Sequence, residues 1–255
     1  MVPTLFDSIQ AREDIVAARI IDGKALAQQV REGLAKESAA VLAKTGMKPG
    51  LATILVGDDP ASHLYVKSKQ KACDAAGIYI DDSKLPASTT QAELLALIAQ
   101  KNADPKIHGI LVQLPLPKHI DSKVVLDAVS AQKDADGFHP YNFGRLVEGS
   151  PIFEACTPKG VIKMIESTGV SIEGKRAVVL GRSNIVGKPL ALMLLHRNAT
   201  VTICHSKTKD LPAVCREADL LLVAIGKAKF VTVDMVRDGA VVIDVGTNRL
   251  PDGKV

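Results

Sequence analysis

The sequence predicts an α/β protein with two α/β domains, the second of which contains a parallel sheet. Short apolar runs of strand length alternate along the chain with stretches of helix length, and this alternation is typical of βαβ units. Residues 178–190 form a buried strand that leads through a glycine-bounded turn directly into a helix. A length of 255 residues with 47% hydrophobic content suits one large or two modest domains. We place the domains at residues 1–155 and 156–255.

Elements of the first domain follow from apolar spacing and from residues that begin or end helices. Asp59 and Pro60 form an N-cap and N1 pair for one helix, and Pro49-Gly50 ends another. In chain order we predict a helix at 22–44, a strand at 51–56, a helix at 60–77, a strand at 78–80, a helix at 90–101, a strand at 109–113 and a helix at 121–129. Residues 135–155 have few regular signals and lead into the domain boundary.

The second domain begins at a similar pair, because Thr157 is a suitable N-cap and Pro158 a suitable N1 residue. The helix that follows runs to about residue 167, and Gly169 closes it. After it we predict strands at 177–180, 200–204, 220–225 and 240–245, and helices at 189–197 and 211–217.

Composition excludes several classes of protein. The net charge is +4 with scattered lysines, aromatic residues make up 3% and Trp is absent, so a base-stacking nucleic-acid surface is not expected. The four cysteines never fall at Cys-x-x-Cys spacing, which disfavours zinc ribbons and redox motifs, and we expect no metal. There is no signal-peptide core and no apolar run of membrane-spanning length. We expect a cytoplasmic protein that binds a small anion.

The turn after residue 180 predicts a phosphate-binding site. Gly181 and Gly187 bound the turn, Arg182 supplies a fixed positive charge, and Ser183 stands where the common Gly-x-Gly-x-x-Gly fingerprint has its second glycine. The following strand ends in His205-Ser206-Lys207-Thr208, without the carboxylate that usually accepts from the ribose of NAD. These residues favour NADP over NAD. The alternative is that residues 205–208 are only a solvated loop.

Two later strands also end in glycine, at Gly226 and at Gly246-Thr247. Ligands bind at the carboxyl ends of strands in open α/β sheets. For each of the two taken singly, however, ordinary turn chemistry is the better interpretation.

The helix after Pro60 contains one lysine, Lys69, that lies on a different side of the helix from the lysines next to it in sequence. At about 100° per residue, Lys67 and Lys71 share one side, whereas Lys69 points to a less polar side with Tyr65 one turn before it. A lysine in that position is a candidate for proton transfer or water activation near neutral pH, and the Tyr65 ring could stack on a flat ligand. A lysine that merely lies over apolar surface is an equally good interpretation.

Two further side chains are candidates for the same site. The prolines of Gln113-Leu-Pro-Leu-Pro force a turn after a strand and fix Gln113, whose amide could orient Lys69 or a ligand; a polar residue that only ends a strand is as good an explanation. Asp136 precedes Gly137 and could accept hydrogen bonds from two N–H groups of a heterocycle. For Asp134 we favour a turn-forming role.

Together these motifs resemble the bifunctional methylenetetrahydrofolate dehydrogenase/methenyltetrahydrofolate cyclohydrolase family over nearly the whole chain. Singly each motif is weak, and jointly they are specific. The matching segments are Tyr-Val-Lys-Ser-Lys at 65–69, Gln-Leu-Pro-Leu-Pro at 113–117, Lys-Asp-Ala-Asp-Gly-Phe at 133–138, Gly-Arg-Ser-Asn-Ile-Val-Gly-Lys-Pro at 181–189 and Val-Ile-Asp-Val-Gly-Thr-Asn at 242–248.

The resemblance implies oxidation of 5,10-methylenetetrahydrofolate with NADP⁺ and hydrolysis of the methenyl product to 10-formyltetrahydrofolate. It implies a cleft between the domains, a Rossmann-like second domain and a homodimer. The implied catalytic residues are Lys69, Gln113 and Tyr65; the implied substrate-binding residues are Tyr65, Ser62, Asp136 and Gln113; the implied cofactor-binding residues are Gly181, Arg182, Ser183, Ile185, Gly187, Ser206, Gly226 and Thr247.

Two other functions stay open at this point. One is a monofunctional NADP-dependent dehydrogenase, although the presence of Lys69 and Gln113 argues against it. The other is a non-catalytic NADP- or folate-binding protein. The family continues past this point with a proline- and glycine-rich segment and a helix that packs on the first domain. That motif is absent from residues 1–255. We therefore expect either a fragment or a sequence whose end is missing, with an incomplete cofactor site.

Overall fold

Two parallel β-sheets form the framework in the computed structural model, which describes residues 18–246 apart from the side chains of residues 60, 61, 63 and 64. The first sheet has the strand order β2-β1-β3 and the second β5-β4-β6-β7, and every pairing is parallel. The strands are β1 Gly50–Val56, β2 Tyr79–Leu85, β3 Gly109–Val112, β4 Arg176–Leu180, β5 Thr200–Cys204, β6 Leu220–Val223 and β7 Val241–Asp244.

Helices connect the strands as parallel crossovers require. They are α1 Gly23–Thr45, α2 Pro60–Ala75, α3 Gln91–Ala103, α4 Ser122–Ala128, α5 Pro140–Val147, α6 Cys156–Ser167, α7 Gly187–Leu195 and α8 Leu211–Arg216, with a short 3₁₀ turn at Val233–Met235. Helix α2 begins at its predicted cap, and α3 has a cap of its own. Asp59 accepts from Ser62 N, and Thr90 forms a full capping box with Glu93.

Apolar clusters on the sheets explain why the strands are continuous hydrophobic runs. One cluster packs β1 and β3 against α3 and α4, and the second sheet is covered by two clusters. All four residues of β6 are buried, as expected for a central strand covered on both faces. The predicted α/β architecture with parallel sheets is confirmed.

The structure corrects the predicted elements in three places. Residues 135–155, predicted to be irregular, contain α5, whose N-cap is His139 with its ring accepting from Tyr141 N. Helix α6 begins at Cys156 after Ala155, which makes no side-chain cap, so the predicted N-cap at Thr157 is wrong. Strand β2 runs on to Leu85, beyond the predicted 78–80, as a partly exposed edge strand.

Packing crosses the division that we predicted at residue 155. Ile21 and Leu146 pack with the cluster that also contains Val161 and Leu222 of the second half. The Arg19 guanidinium donates to Thr168 O at 3.2 Å. The residue at which the domains divide therefore stays a prediction. No helix among the described residues is long and apolar enough to cross a membrane.

Candidate active site

Lys69 and Gln113 meet at the carboxyl end of the first sheet. Lys69 on α2 is partly buried, whereas Lys67 and Lys71 are exposed, as their helical positions predict. Lys69 Nζ donates a hydrogen bond to Gln113 Oε1 at 3.0 Å. Gln113 Nε2 donates to Leu114 O at 2.7 Å, so the amide nitrogen is already engaged and the amide oxygen faces the lysine. The arrangement holds an amine beside a fixed acceptor.

The segment that contains Asp136 runs alongside β3. Ile110 N donates to Lys133 O at 2.6 Å and Ala135 N donates to Ile110 O at 3.2 Å, which makes a parallel bridge between Ile110 and Asp134. The segment therefore advances in the same direction as β3 and carries Asp136 toward the end of the strand where Gln113 lies.

The Asp136 carboxylate is partly buried and lies within reach of the charges of Lys69 and Asp134. Burial raises its pKa to about 6, while the charge of Lys69 lowers that pKa and the charge of Asp134 raises it. Within residues 18–246 no protein group donates a hydrogen bond to this carboxylate. A desolvated acceptor beside a lysine is the arrangement that a ligand with N–H donors would complete.

The loop around Asp136 is packed tightly from the second half of the chain. Gly137 has φ +70, and a Cβ placed there would lie 2.7 Å from Ala155 N. Cys156 Sγ donates to Ala135 O at 3.2 Å. The residue keeps exposed surface, but packing around its sulfur, followed by the charge of Asp136, raises the pKa of the thiol, which keeps it a donor near neutral pH. Cys156 is a contact that the sequence analysis missed.

Two other predicted residues lie on the same helix as Lys69. Tyr65 is one turn before Lys69 and 45% exposed, so part of its ring surface is open to a flat ligand. Ser62 is only 2% exposed, and its backbone N and its hydroxyl both donate to Asp59 Oδ2 at 2.8 Å. The hydroxyl of Ser62 is therefore part of the helix cap.

The glycines of the predicted cofactor turn are needed because backbones approach there. Gly181 has φ +128, and a Cβ on it would lie 2.5 Å from Ala224 O. A Cβ on Gly187 would lie 2.2 Å from Gly181 O. No side chain fits at either position, so the turn closes directly on the start of α7, as a phosphate cradle at a helix N-terminus requires.

Ser183 completes that helix start from within the turn. Its Oγ accepts from Val186 N at 3.2 Å and from Gly187 N at 3.3 Å. With its oxygen engaged as an acceptor, the Ser183 hydroxyl still has its own hydrogen to donate. Arg182 and Ile185 are exposed beside it.

The turn after β5 lies next to the turn after β4. Leu180 pairs with Cys204, and Gly181 N donates to Cys204 O at 2.9 Å. In the second turn His205 N donates to Thr208 Oγ1 at 2.9 Å, and Ser206 is exposed. Adjacent strands in register thus bring the Arg182 and Ser206 positions to one edge of the sheet.

The remaining predicted positions follow β6 and β7 at this same edge. Gly226 has φ +59, and a Cβ on Gly246 would lie 2.7 Å from Gly226 N. Thr247 lies outside the described residues. Three neighbouring strands thus end in glycine at the edge where open α/β sheets bind ligands, and a glycine turn at the start of a helix is of the kind that accepts the pyrophosphate of a dinucleotide.

Comparison with known proteins agrees with both halves of this site. Residues 21–136 match the family described as tetrahydrofolate dehydrogenase/cyclohydrolase, catalytic domain. Residues 155–255 match the NAD(P)-binding domain of the same family. The chain is 57% identical over 238 residues to the bifunctional protein FolD of Moorella thermoacetica, an alignment that covers 93% of this chain and 85% of the relative.

Solved structures give the same result. The bifunctional FolD enzyme of Campylobacter jejuni superposes with a TM-score of 0.89 at 49% identity, covering 92% of this chain and 84% of that one. The dehydrogenase-cyclohydrolase of Trypanosoma brucei, solved with NADP and an inhibitor, superposes with a TM-score of 0.88 at 39% identity, covering 93% and 82%. The chain belongs to the tetrahydrofolate dehydrogenase/cyclohydrolase family.

Proposed function

We propose that this chain oxidises 5,10-methylenetetrahydrofolate with NADP⁺ and hydrolyses the methenyl product to 10-formyltetrahydrofolate, with Lys69 and Gln113 serving the hydrolysis. The hydrogen bond of 3.0 Å between Lys69 Nζ and Gln113 Oε1 supports it most directly. Family membership accounts for both activities. Within this chain, the fixed Gln113 amide and the Lys69 amine also support activation of a water molecule at the site.

For the oxidation, the chain has to hold two ligands rather than supply an acid or a base. NADP⁺, when bound, accepts the hydride that leaves the methylene carbon. Gly181 and Gly187 would shape the turn that takes the pyrophosphate, and Arg182 and Ser206 would contact the 2′-phosphate. Asp136 would accept hydrogen bonds from the pterin, and Tyr65 would stack on the folate. Proximity and orientation account for much of such a step.

For the hydrolysis, a water adds to the methenyl carbon and loses a proton, and the bond from that carbon to N5 then breaks. Lys69 would move a proton at its Nζ between the water and the leaving nitrogen. Gln113 would fix the direction of that amine, because its own nitrogen is bound to Leu114 O at 2.7 Å. The intact pair argues against a monofunctional dehydrogenase.

In this proposal each half of the chain binds one of the two ligands. We assign folate binding to residues 1–155 and NADP binding to residues 156–255, with the ligands meeting in a cleft between the domains. We also propose a homodimer and a cytoplasmic location. Light scattering of the purified protein during gel filtration tests the dimer, and a mass equal to one chain of 27.0 kDa would refute it.

The function is tested by incubating the chain with methylenetetrahydrofolate and either NADP⁺ or NAD⁺ and analysing the products. The proposal predicts reduction of NADP⁺ in preference to NAD⁺ and formation of 10-formyltetrahydrofolate. Accumulation of the methenyl compound at its uncatalysed rate of hydrolysis would favour the monofunctional dehydrogenase. Binding of both ligands without turnover would favour a non-catalytic binding protein.

A further inference from the structure

Asp134 is a buried carboxylate whose bonds all serve the loop of the candidate site. It is 5% exposed, and in the described part of the chain no lysine or arginine forms an ion pair with it. Its Oδ2 accepts from His139 N and from Asn142 Nδ2, each at 2.8 Å. Burial of a carboxylate is costly without such donors, so the interactions at this position have to compensate for that cost.

These hydrogen bonds join the two ends of one loop. His139 is the N-cap of α5 and Asn142 lies in its first turn, while Asn142 Nδ2 also donates to Ala131 O at 3.0 Å. Asn142 is 1% exposed, so this junction is held inside the protein. The Asp134 carboxylate thus ties α5 to the segment that runs along β3.

Asp136 lies in the middle of the loop that is tied in this way. In the described part of the chain no hydrogen bond reaches its carboxylate, so the loop backbone, the packing around it and the charge of Lys69 determine where it points. Gly137 N donates to Asp134 O at 3.2 Å, and the tight approach of Gly137 to Ala155 fixes the other side. The Asp134 bonds therefore help to hold the loop that carries the Asp136 carboxylate.

We infer that Asp134 is a positioning residue for folate binding, which acts through residues 133–139 to hold the Asp136 carboxylate where the pterin meets it. This inference rests on the proposed function. It adds to the turn-forming role that the sequence favoured for Asp134: the backbone O of Asp134 accepts from Gly137 N at 3.2 Å, as in a turn, while the side chain bonds across the loop to α5.

The test compares Asp134→Ala and Asp134→Asn by KM for methylenetetrahydrofolate, KM for NADP⁺ and thermal unfolding. Asparagine keeps one oxygen that can accept both N–H bonds, so we expect its folate KM to stay within about threefold of wild type. Alanine removes both bonds, and we expect a rise of about tenfold or more in folate KM with NADP⁺ KM unchanged.

Asp81→Asn is the matched control, because Asp81 is a partly buried aspartate of the first sheet that pairs with Lys101 at 2.7 Å. It is expected to lower the unfolding temperature and to leave both KM values unchanged. If Asp134→Ala does not fold, Asn142→Ala is used instead; it removes one of the two donors and is expected to raise folate KM about threefold.

The inference would be overturned by an equal rise in both KM values, or by an Asp134→Asn variant as impaired as Asp134→Ala. An unchanged folate KM in a folded Asp134→Ala variant would do the same while leaving the proposed function intact. Failure of the wild-type protein to turn over the folate would instead refute the proposed function.

Discussion

Replacement of Asp136 by asparagine is expected to stabilise the ligand-free protein while it removes folate binding. Burial raises the pKa of this carboxyl from 3.8 to about 6, a rise of about two pH units. Each unit corresponds to roughly 1.4 kcal/mol, so ionisation of Asp136 in the folded protein costs up to about 3 kcal/mol above pH 7. Asparagine has the same shape and no charge.

The sign of this effect fixes its dependence on pH. Because the pKa of Asp136 is higher in the folded protein, its contribution to stability is fully present below the unfolded value of 3.8 and is lost as the pH rises through about 6. The advantage of Asp136→Asn is therefore largest at about pH 8 and declines toward zero near pH 4.

Urea unfolding of the ligand-free protein across that pH range is the assay. We expect Asp136→Asn to be roughly 1 to 3 kcal/mol more stable than wild type at about pH 8. Asp127→Asn is the control, because Asp127 is a surface residue paired with Lys123 at 3.5 Å, and its effect should stay within about 0.5 kcal/mol. A variant less stable than wild type at pH 8, or a difference that does not change with pH, would refute the reasoning.

Three further substitutions test the cofactor turn and a helix cap. Gly187→Ala places a methyl group 2.2 Å from Gly181 O; we expect a large rise in NADP⁺ KM and a loss of roughly 2 kcal/mol or more in unfolding free energy. Arg182→Gln is expected to raise KM for NADP⁺ about tenfold with little change for NAD⁺, measured by steady-state kinetics. Thr90→Ala removes the capping box with Glu93 and should cost about 1 kcal/mol in urea unfolding without changing either KM.

Control variants separate these effects from a general loss of stability. Gly160→Ala adds a methyl group in α6 where nothing lies within 4 Å, so it should keep the NADP⁺ KM of wild type and be as stable or up to about 1 kcal/mol more stable. A Gly187→Ala variant as active as wild type would contradict the account of the turn. An equal change for both cofactors in Arg182→Gln would contradict contact with the 2′-phosphate, and an unchanged unfolding midpoint in Thr90→Ala would contradict the role of the cap.

The sequence predicted most of the framework because the signals were local. Apolar runs and N-cap residues such as Asp59 placed the strands and most helices, and helical spacing separated Lys69 from Lys67. Helix α5 was missed because its N-cap is His139, whose ring accepts from Tyr141 N at 3.0 Å, a residue type outside the usual capping set. The start of α6 was missed because Pro158 is the third residue of the helix, and the N-cap three positions before it is Ala155, which has no capping side chain.

The roles of some polar side chains depend on partners that the sequence does not bring together. Ser183 was predicted as a cofactor contact, but its Oγ also accepts from two amides at the start of α7. Asp134 was predicted to form a turn, and only the folded chain shows its bonds to His139 and Asn142. A buried aspartate and a turn aspartate look alike in one sequence, because burial is a property of the packed chain.

Hydrolysis of 5,10-methenyltetrahydrofolate by wild type, Lys69→Met and Lys67→Met tests the central claim most directly. Lys67 is an exposed lysine on the same helix, so its variant controls for loss of charge. The account predicts that Lys67→Met hydrolyses the substrate at the wild-type rate, whereas Lys69→Met folds normally by circular dichroism and shows no hydrolysis above background. Unchanged hydrolysis by Lys69→Met would contradict it.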